Sequence, residues 1–290
     1  MNVLSLFDGM SCGRIALGRA GIEVDNYYAS ELDKYTITVT QANWSNTIQL
    51  GDVTKWREWD IDWGSIDLLI GGSPCQGFSF AGKQLAFDDP RSALFFEYLN
   101  ILNHIKKVNP DVKFLLENVR MKKEYLDVIS GLLGVQPVFI NSNLVSATNR
   151  NRVYWNNWTT EQPNDKGILI NSILEADINE KFYVSEKQLQ RLHISDLIDG
   201  GCRVCFKSKG QNIDKSECLQ ARDYKGISGR QYFTTVMTNG RLRKLTPTEY
   251  ERLQTVPDNY TNHVSNTQRY KMLGNGWTVD VIAHIFKSLN

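Results

Sequence analysis

The chain has 290 residues, 41% hydrophobic and 22% charged, with a net charge of +1. These proportions belong to an ordinary folded protein and exclude wholesale disorder or a polycation that coats acidic polymers along its whole length. No apolar stretch nears the ~18 residues of a membrane span, Asp8 interrupts the first apolar run where a secretory leader would need continuity, and five cysteines are too sparse for a disulfide framework, so a reducing, cytoplasmic setting is expected.

Asn2-Val3-Leu4-Ser5-Leu6-Phe7 reads as a buried strand ending in Asp8-Gly9-Met10-Ser11-Cys12-Gly13, and helical periodicity follows through Ile15, Ala16 and Leu17. A second strand over Tyr27–Ser30, a helix from about Lys34 to Asn43, a short strand near Thr47–Leu50 and a fourth strand over Ile66–Gly71 continue the alternation. A loop rich in Gly, Pro and Ser leads to a helix near 93–108, where Tyr98, Ile101, Leu102, Ile105 and Val108 keep helical spacing. Pro110 closes that helix, and Val112–Leu116 and Val153–Trp155 are further strands. Strands alternating with helices predict an α/β fold with a doubly wound, mostly parallel sheet, which binds ligands at the carboxyl ends of its strands.

From about Asn156 the rhythm breaks. Turns mark 163–167, 199–201 and 226–229, and Phe233–Thr238 faces Arg241–Arg243 across an Asn239-Gly240 hairpin turn. This predicts a smaller, irregular β-rich domain over 157–240, inserted in a larger one formed by 1–156 and 241–290. Helices return near Thr246-Pro247 and through Val279, Ile282, Ile285 and Phe286. Residues 200–252 hold eleven Lys/Arg against five Asp/Glu, a local +6. Such a segment is either a phosphate-facing patch or a solvated loop region.

The loop after the fourth strand reads Gly72-Ser73-Pro74-Cys75-Gln76-Gly77-Phe78-Ser79. A lone cysteine is usually a small buried hydrophobe. Cys75 instead follows a proline in a polar loop at the ligand edge of the sheet, where a thiol can act as a nucleophile. The fifth strand ends in Glu117-Asn118-Val119, an acid suited to facing Cys75 or to capping the next helix. Arg150-Asn151-Arg152 places two guanidinium groups before the strand Val153–Trp155; such a pair is also at home on a surface strand edge.

Ser73-Pro74-Cys75-Gln76, Glu117-Asn118-Val119 and Arg150-x-Arg152, in this order, resemble the DNA cytosine-5 methyltransferase family. Phe7-Asp8-Gly9, Gly274-Asn275-Gly276-Trp277 and the stretch from Arg243 to Gln254 fit the same family, so the likeness spans all but about 157–240. It implies S-adenosylmethionine as cofactor, S-adenosylhomocysteine as product, and no metal. Cys75 would add to cytosine C6, Glu117 would hydrogen-bond N3 and the exocyclic amine, Arg152 would hold O2, and Arg150 would support the site. The target base would be flipped out of the duplex.

For the cofactor, the resemblance and the strand-end positions together assign Phe7, Asp8 and Gly9 to the methionine part, Glu31 to the ribose hydroxyls and Asp52 to the adenine amine. Leu32, Val53, Pro74 and Leu94 would line the walls, and Asn275 and Trp277 would close the pocket. Thr148 and Trp277 depart from the commoner residues of the family, Gln and Val, and resemble its animal de novo branch and some phage-type enzymes.

The 157–240 domain would recognise duplex DNA. Arg222 is expected to read a base, or else to pair with Asp223, while Lys225 and Arg230 touch phosphate. Gln76 and Ser79 of the Cys75 loop are also assigned to DNA. Cys202-x-x-Cys205 with Cys218 lacks a fourth zinc ligand. The implied setting is a prokaryotic or phage-infected cell, with a restriction nuclease as one potential partner. A tRNA cytosine methyltransferase and a non-catalytic DNA-binding protein are the alternatives.

Overall fold

The computed structural model describes residues 1–73, 93–187, 204–205, 214–225 and 235–289, with 204–205 and 225 described by backbone alone. Packing divides the chain into two compact units. One comprises Met1–Asn141, Asn151–Pro163 and Val279–Asn290; the other comprises Ser142–Arg150 and Asn164–Thr278.

The first unit runs β1 (Asn2–Leu6), α1 (Cys12–Arg19), β2 (Asn26–Ser30), α2 (Lys34–Asn43), β3 (Ile48–Gln49), β4 (Leu68–Gly71), α3 (Ala93–Val108), β5 (Lys113–Val119), α4 (Lys123–Leu133), β6 (Val138–Asn141) and β7 (Asn151–Asn156), and closes with the helix Val279–Lys287. Its seven strands lie in the order β3-β2-β1-β4-β5-β7-β6. The first five are parallel and β7 is antiparallel to both neighbours. The strand order reverses between β1 and β4, so the loops after these strands flank the switch point where doubly wound sheets hold ligands.

The near-continuous apolar runs of β1, β4 and β5 are buried on both faces, as parallel strands between helices must be. Leu4, Leu69, Phe114 and Leu116 meet Tyr98, Ile101, Leu102 and Ile105 of α3 in one core. Val108, on the same predicted stripe, is exposed at the helix end. Trp56 belongs to that core, and Trp59 and Trp63 pack against it with their own rings stacked. The C-terminal helix packs on α1, with Arg19 donating to Asp280 at 2.7 Å.

In the first unit, α4 and β6 lie outside the sequence-based expectation. Helix α4 buries Ile129 and Leu133 and leaves Val128 and Leu132 exposed; Tyr125, Leu126, Ile129 and Leu133 keep helical spacing, a signal present in the sequence. Strand β6 is four residues long and hidden behind Pro137.

In the second unit, β8 (Val204–Cys205), β9 (Thr235–Thr238) and β10 (Arg241–Lys244) form an antiparallel sheet in the order β10-β9-β8. Asn239 and Gly240 have φ of 51° and 70°, the doubly left-handed turn that Asn-Gly supplies for tight hairpins. Helix α5 (Pro247–Leu253) starts from a Thr246/Glu249 capping box, and α6 (Asn266–Asn275) follows.

The expected division kept 241–290 whole, apart from 157–240; packing instead groups 241–278 with the second unit. The reason is local. Arg252 donates to the Ile173 carbonyl at 2.9 Å, and Glu175 N to Glu249 Oε1 at 2.9 Å. Gly274 abuts the Gln220–Ala221 backbone so closely that a Cβ there would lie 2.3 Å from Gln220 C.

Candidate active site

Strands β5 and β7 pair with Val119 opposite Arg152 and Glu117 opposite Tyr154. Opposed residues of an antiparallel pair share a face, so Glu117 and Arg152 are diagonal neighbours. Arg152 Nε donates to Glu117 Oε1 at 2.9 Å, with the two side chains 14% and 10% exposed. A carboxylate and a guanidinium thus sit together, largely desolvated, at the carboxyl end of β5.

Between them in sequence, the buried Asn118 donates from Nδ2 to Ser73 Oγ at 3.2 Å and to the Ser73 carbonyl at 3.3 Å. Ser73 itself is buried after β4. The strand end that carries Glu117 therefore fixes the residue two positions before Cys75. Pro74, Cys75, Gln76 and Ser79 lie outside the described residues.

Arg150 belongs to the second unit and is 4% exposed. Its guanidinium donates to the carbonyls of Leu219 (3.2 Å), Gly274 (3.2 Å) and Gly276 (2.9 Å). With the Asn275 carbonyl at 3.5 Å as a fourth acceptor, these donors brace the backbone, which favours a supporting role over contact with a reacting base. Thr148 beside it is buried and donates to the Glu217 carbonyl at 2.9 Å.

The loop after β1 is backbone under constraint. Phe7 and Ser11 have φ of 56° and 59°, a left-handed conformation that costs non-glycine residues about 1–3 kcal/mol and persists where the surroundings impose it. Gly9 N donates to Glu31 Oε2 at 2.8 Å, and Glu31 Oε1 accepts from Leu32 N and Asp33 N at 2.7 and 2.8 Å. Glu31 therefore ties the β1 loop to the end of β2. Oε2 keeps lone-pair capacity for one further hydroxyl.

Asp8 accepts from Tyr27 Oη at 2.7 Å and from Ser11 Oγ. Burial raises its carboxyl to about 6, while donors from Ser11, Ser5 and Tyr27 pull it down and Glu31 pushes it further up. A raised carboxyl contributes stability that is fully present below the unfolded value near 3.9 and is lost as pH rises through the folded value. Asp8→Asn should therefore flatten the dependence of unfolding midpoint on pH between about 4 and 6. Urea titrations across that window check it; an unchanged slope refutes it.

Asp52, after β3, accepts from Thr54 N at 2.9 Å and Thr54 Oγ1 at 2.8 Å, both on Oδ1. Those bonds, the backbone one first, hold its carboxyl below the usual range, so it stays an anionic acceptor. Oδ2 has no partner among the described residues. Val53 beside it is buried, Leu94 is half-buried against the core, and Leu32 leaves a large apolar side chain 69% exposed. Carboxylate oxygens and an uncovered leucine at consecutive strand ends fit a nucleoside-bearing sulfonium cofactor.

Asn275 is exposed and Trp277 half-buried, in the second unit beside the carbonyls that Arg150 holds. Asp52→Asn keeps the Thr54 cap but replaces the Oδ2 acceptor. It should weaken S-adenosylhomocysteine binding by about 1–3 kcal/mol, with an unchanged unfolding midpoint. Calorimetry showing wild-type affinity would remove Asp52 from the pocket.

Of the expected DNA contacts, Arg222 is exposed and donates from Nε to Gln220 Oε1 at 2.7 Å. Only the backbone of Lys225 is described, and Arg230 lies outside the described residues. Much of the basic segment is spent internally. Arg241 pairs with Glu180, Arg252 with Asp258, and Arg243 with Glu249, the last pair with both side chains 0% exposed.

Asn118, Ser73 and Tyr27 were not singled out from the sequence. Asn118 and Ser73 stood inside the quoted motifs, whereas nothing in the sequence marks where the Tyr27 hydroxyl points. Among the described residues no group of three or more His, Cys, Asp and Glu could hold a metal ion. No helix among them is long and apolar enough to cross a membrane.

The profile of the C-5 cytosine-specific DNA methylase family matches residues 1–125 and 138–290. The chain is 31% identical to the type II methyltransferase M1.ScrFI of Lactococcus lactis subsp. cremoris, over 99% of this chain and 77% of that protein. It is also 31% identical to the type II methyltransferase M.NlaX of Neisseria lactamica, over 99% and 95%. The structure of the Entamoeba histolytica methyltransferase EhMeth shares the fold, with a TM-score of 0.75 at 18% identity over 100% of this chain and 97% of that one. Together with the Glu117–Arg152 pair at the sheet's ligand edge, these findings place the chain in the C-5 cytosine-specific DNA methylase family, as a DNA (cytosine-5-)-methyltransferase that uses S-adenosylmethionine.

Proposed function

We propose that this enzyme methylates C5 of a cytosine flipped out of duplex DNA, through a transient bond between Cys75 and the base. The observation that carries the reading is the largely buried Glu117–Arg152 pair, with Asn118 fixing the root of the Cys75 segment. Cytosine C5 is too weak a nucleophile to take a methyl group unaided. The Cys75 thiolate adds to C6 and drives the C5–C6 π pair onto C5. Glu117 hydrogen-bonds N3 and the exocyclic amine and supplies the proton that N3 takes as charge builds there. Arg152 holds O2.

S-adenosylmethionine, when bound, supplies the methyl group that C5 acquires. Water takes the C5 proton, the C5–H pair re-forms the C5–C6 double bond and expels the Cys75 sulfur as thiolate, and N3 returns its proton to the Glu117 carboxylate, so the aromatic ring and the enzyme are restored. The base must leave the stack, because neither face of C6 is open to a side chain within it. Phe7, Asp8, Gly9, Glu31, Asp52 and the apolar Leu32, Val53, Pro74 and Leu94 are the residues assigned to the cofactor, with Asn275 and Trp277 assigned by resemblance.

Residues 157–240 are the proposed recognition region, with Gln76, Ser79, Arg222, Lys225 and Arg230 assigned to DNA. A cognate restriction nuclease and a cytoplasmic setting go with this reading. Incubation with methyl-labelled cofactor and either duplex DNA or tRNA tests it: label should enter the duplex. Label entering tRNA alone would overturn the substrate.

A further inference from the structure

The second unit contains an open pocket of about 240 Å³, lined among others by Lys181, Asp223, Tyr224, Lys244, Tyr250 and Tyr270. None of these is a residue assigned above to the reaction, the cofactor or DNA. Its walls are fixed. The Tyr250 and Tyr270 rings meet edge to face at 4.8 Å, and their hydroxyls are spent on Asp223 Oδ2 and the Leu245 carbonyl. Asp223 Oδ2 also accepts from Gln220 N at 2.9 Å. Oδ1, by contrast, has no hydrogen-bond partner among the described residues.

Neither Lys181 nor Lys244 has a carboxylate partner among the described residues, although Arg241, Arg243 and Arg252 are all paired. Burial lowers the Lys244 pKa, so its ammonium gains from an incoming anion. Tyr224, 40% exposed, adds an aromatic surface to the pocket.

These groups select against simple ligands. A small anion would satisfy the lysines but meet the carboxylate of Asp223. A small cation would satisfy Asp223 and be repelled by two ammonium groups. One nucleotide of a polynucleotide presents both signs in one unit: a phosphate for the lysines, and an exocyclic amine for a carboxylate oxygen.

We propose that this pocket is a nucleotide subsite of the second unit, in which Lys181 and Lys244 hold one backbone phosphate of duplex DNA and Asp223 Oδ1 accepts from the exocyclic amine of the adjoining cytosine or adenine. The proposal rests on the DNA reading above and adds residues that set affinity and sequence preference.

The test uses full-length enzyme and a duplex carrying the site that methylation sequencing finds for the wild type. Affinity is followed by anisotropy against salt concentration. Lys181→Ala/Lys244→Ala should lower the slope of log K against log salt by about one, the share of the single phosphate they hold, on all sequences alike. Lys181→Arg/Lys244→Arg, which keeps both charges, should retain the slope. Asp223→Asn should keep the slope and relax preference at one base pair by about tenfold. Calorimetric cofactor binding on every variant reports folding.

An unchanged slope in the double alanine variant, a slope lost equally in the arginine variant, or an unchanged preference in Asp223→Asn overturns the proposal and leaves the methyltransferase reading standing. A wild-type enzyme that methylates no duplex overturns both.

Discussion

Glu117→Gln should lower the rate of methyl transfer by about 10²–10⁴-fold, the usual contribution of a positioned general acid or base, while leaving duplex affinity nearly unchanged. The amide matches the carboxylate in shape, and its oxygen can still accept from Arg152 Nε, now 2.9 Å from Glu117 Oε1. What it cannot do is exchange a proton with N3. Single-turnover kinetics with labelled cofactor separate this from weakened binding. Removing one member of a buried pair is itself destabilising, so the unfolding midpoint of the variant belongs beside the rate. A near wild-type rate would remove Glu117 from the chemistry.

Cys75→Ser should reduce methylation to background. A serine hydroxyl stays protonated at neutral pH and supplies no thiolate-like nucleophile to C6. The Asn118–Ser73 bonds that root the loop do not involve position 75, and so cofactor affinity by calorimetry should persist. An active serine variant would sink the covalent step.

Much of this architecture was legible because chemistry sits where the chain's grammar is strongest. Continuous apolar runs mark β1, β4 and β5, and the loop after each run lies by construction at the ligand edge of a parallel sheet. Glu31, Asp52 and Glu117 could be placed at strand ends before any contact was known. The Asn239-Gly240 turn and the helix start at Thr246-Pro247 are equally local signals, and both formed as expected.

Pairings over long separations were not legible. Arg150 reads as a supporting arginine, but what it supports emerges only from its donors, found on carbonyls 69 and 124 residues away. The local +6 of residues 200–252 reads as either a phosphate-facing patch or a solvated loop region, and charge counting cannot show that Arg241, Arg243 and Arg252 face carboxylates. Helix α4, by contrast, carries a legible stripe of Tyr125, Leu126, Ile129 and Leu133.

The central claim is covalent catalysis on cytosine, and trapping tests it most directly. A duplex with 5-fluorocytosine at the methylated position cannot lose its C5 substituent after methyl transfer, so elimination of the Cys75 sulfur is blocked. Wild-type enzyme with S-adenosylmethionine should give a denaturation-stable complex of one protein per duplex. Peptide mapping should place the bond at Cys75. Methylation of ordinary duplex without any trapped complex on the fluorinated one, or a bond mapped to another residue, would contradict the account.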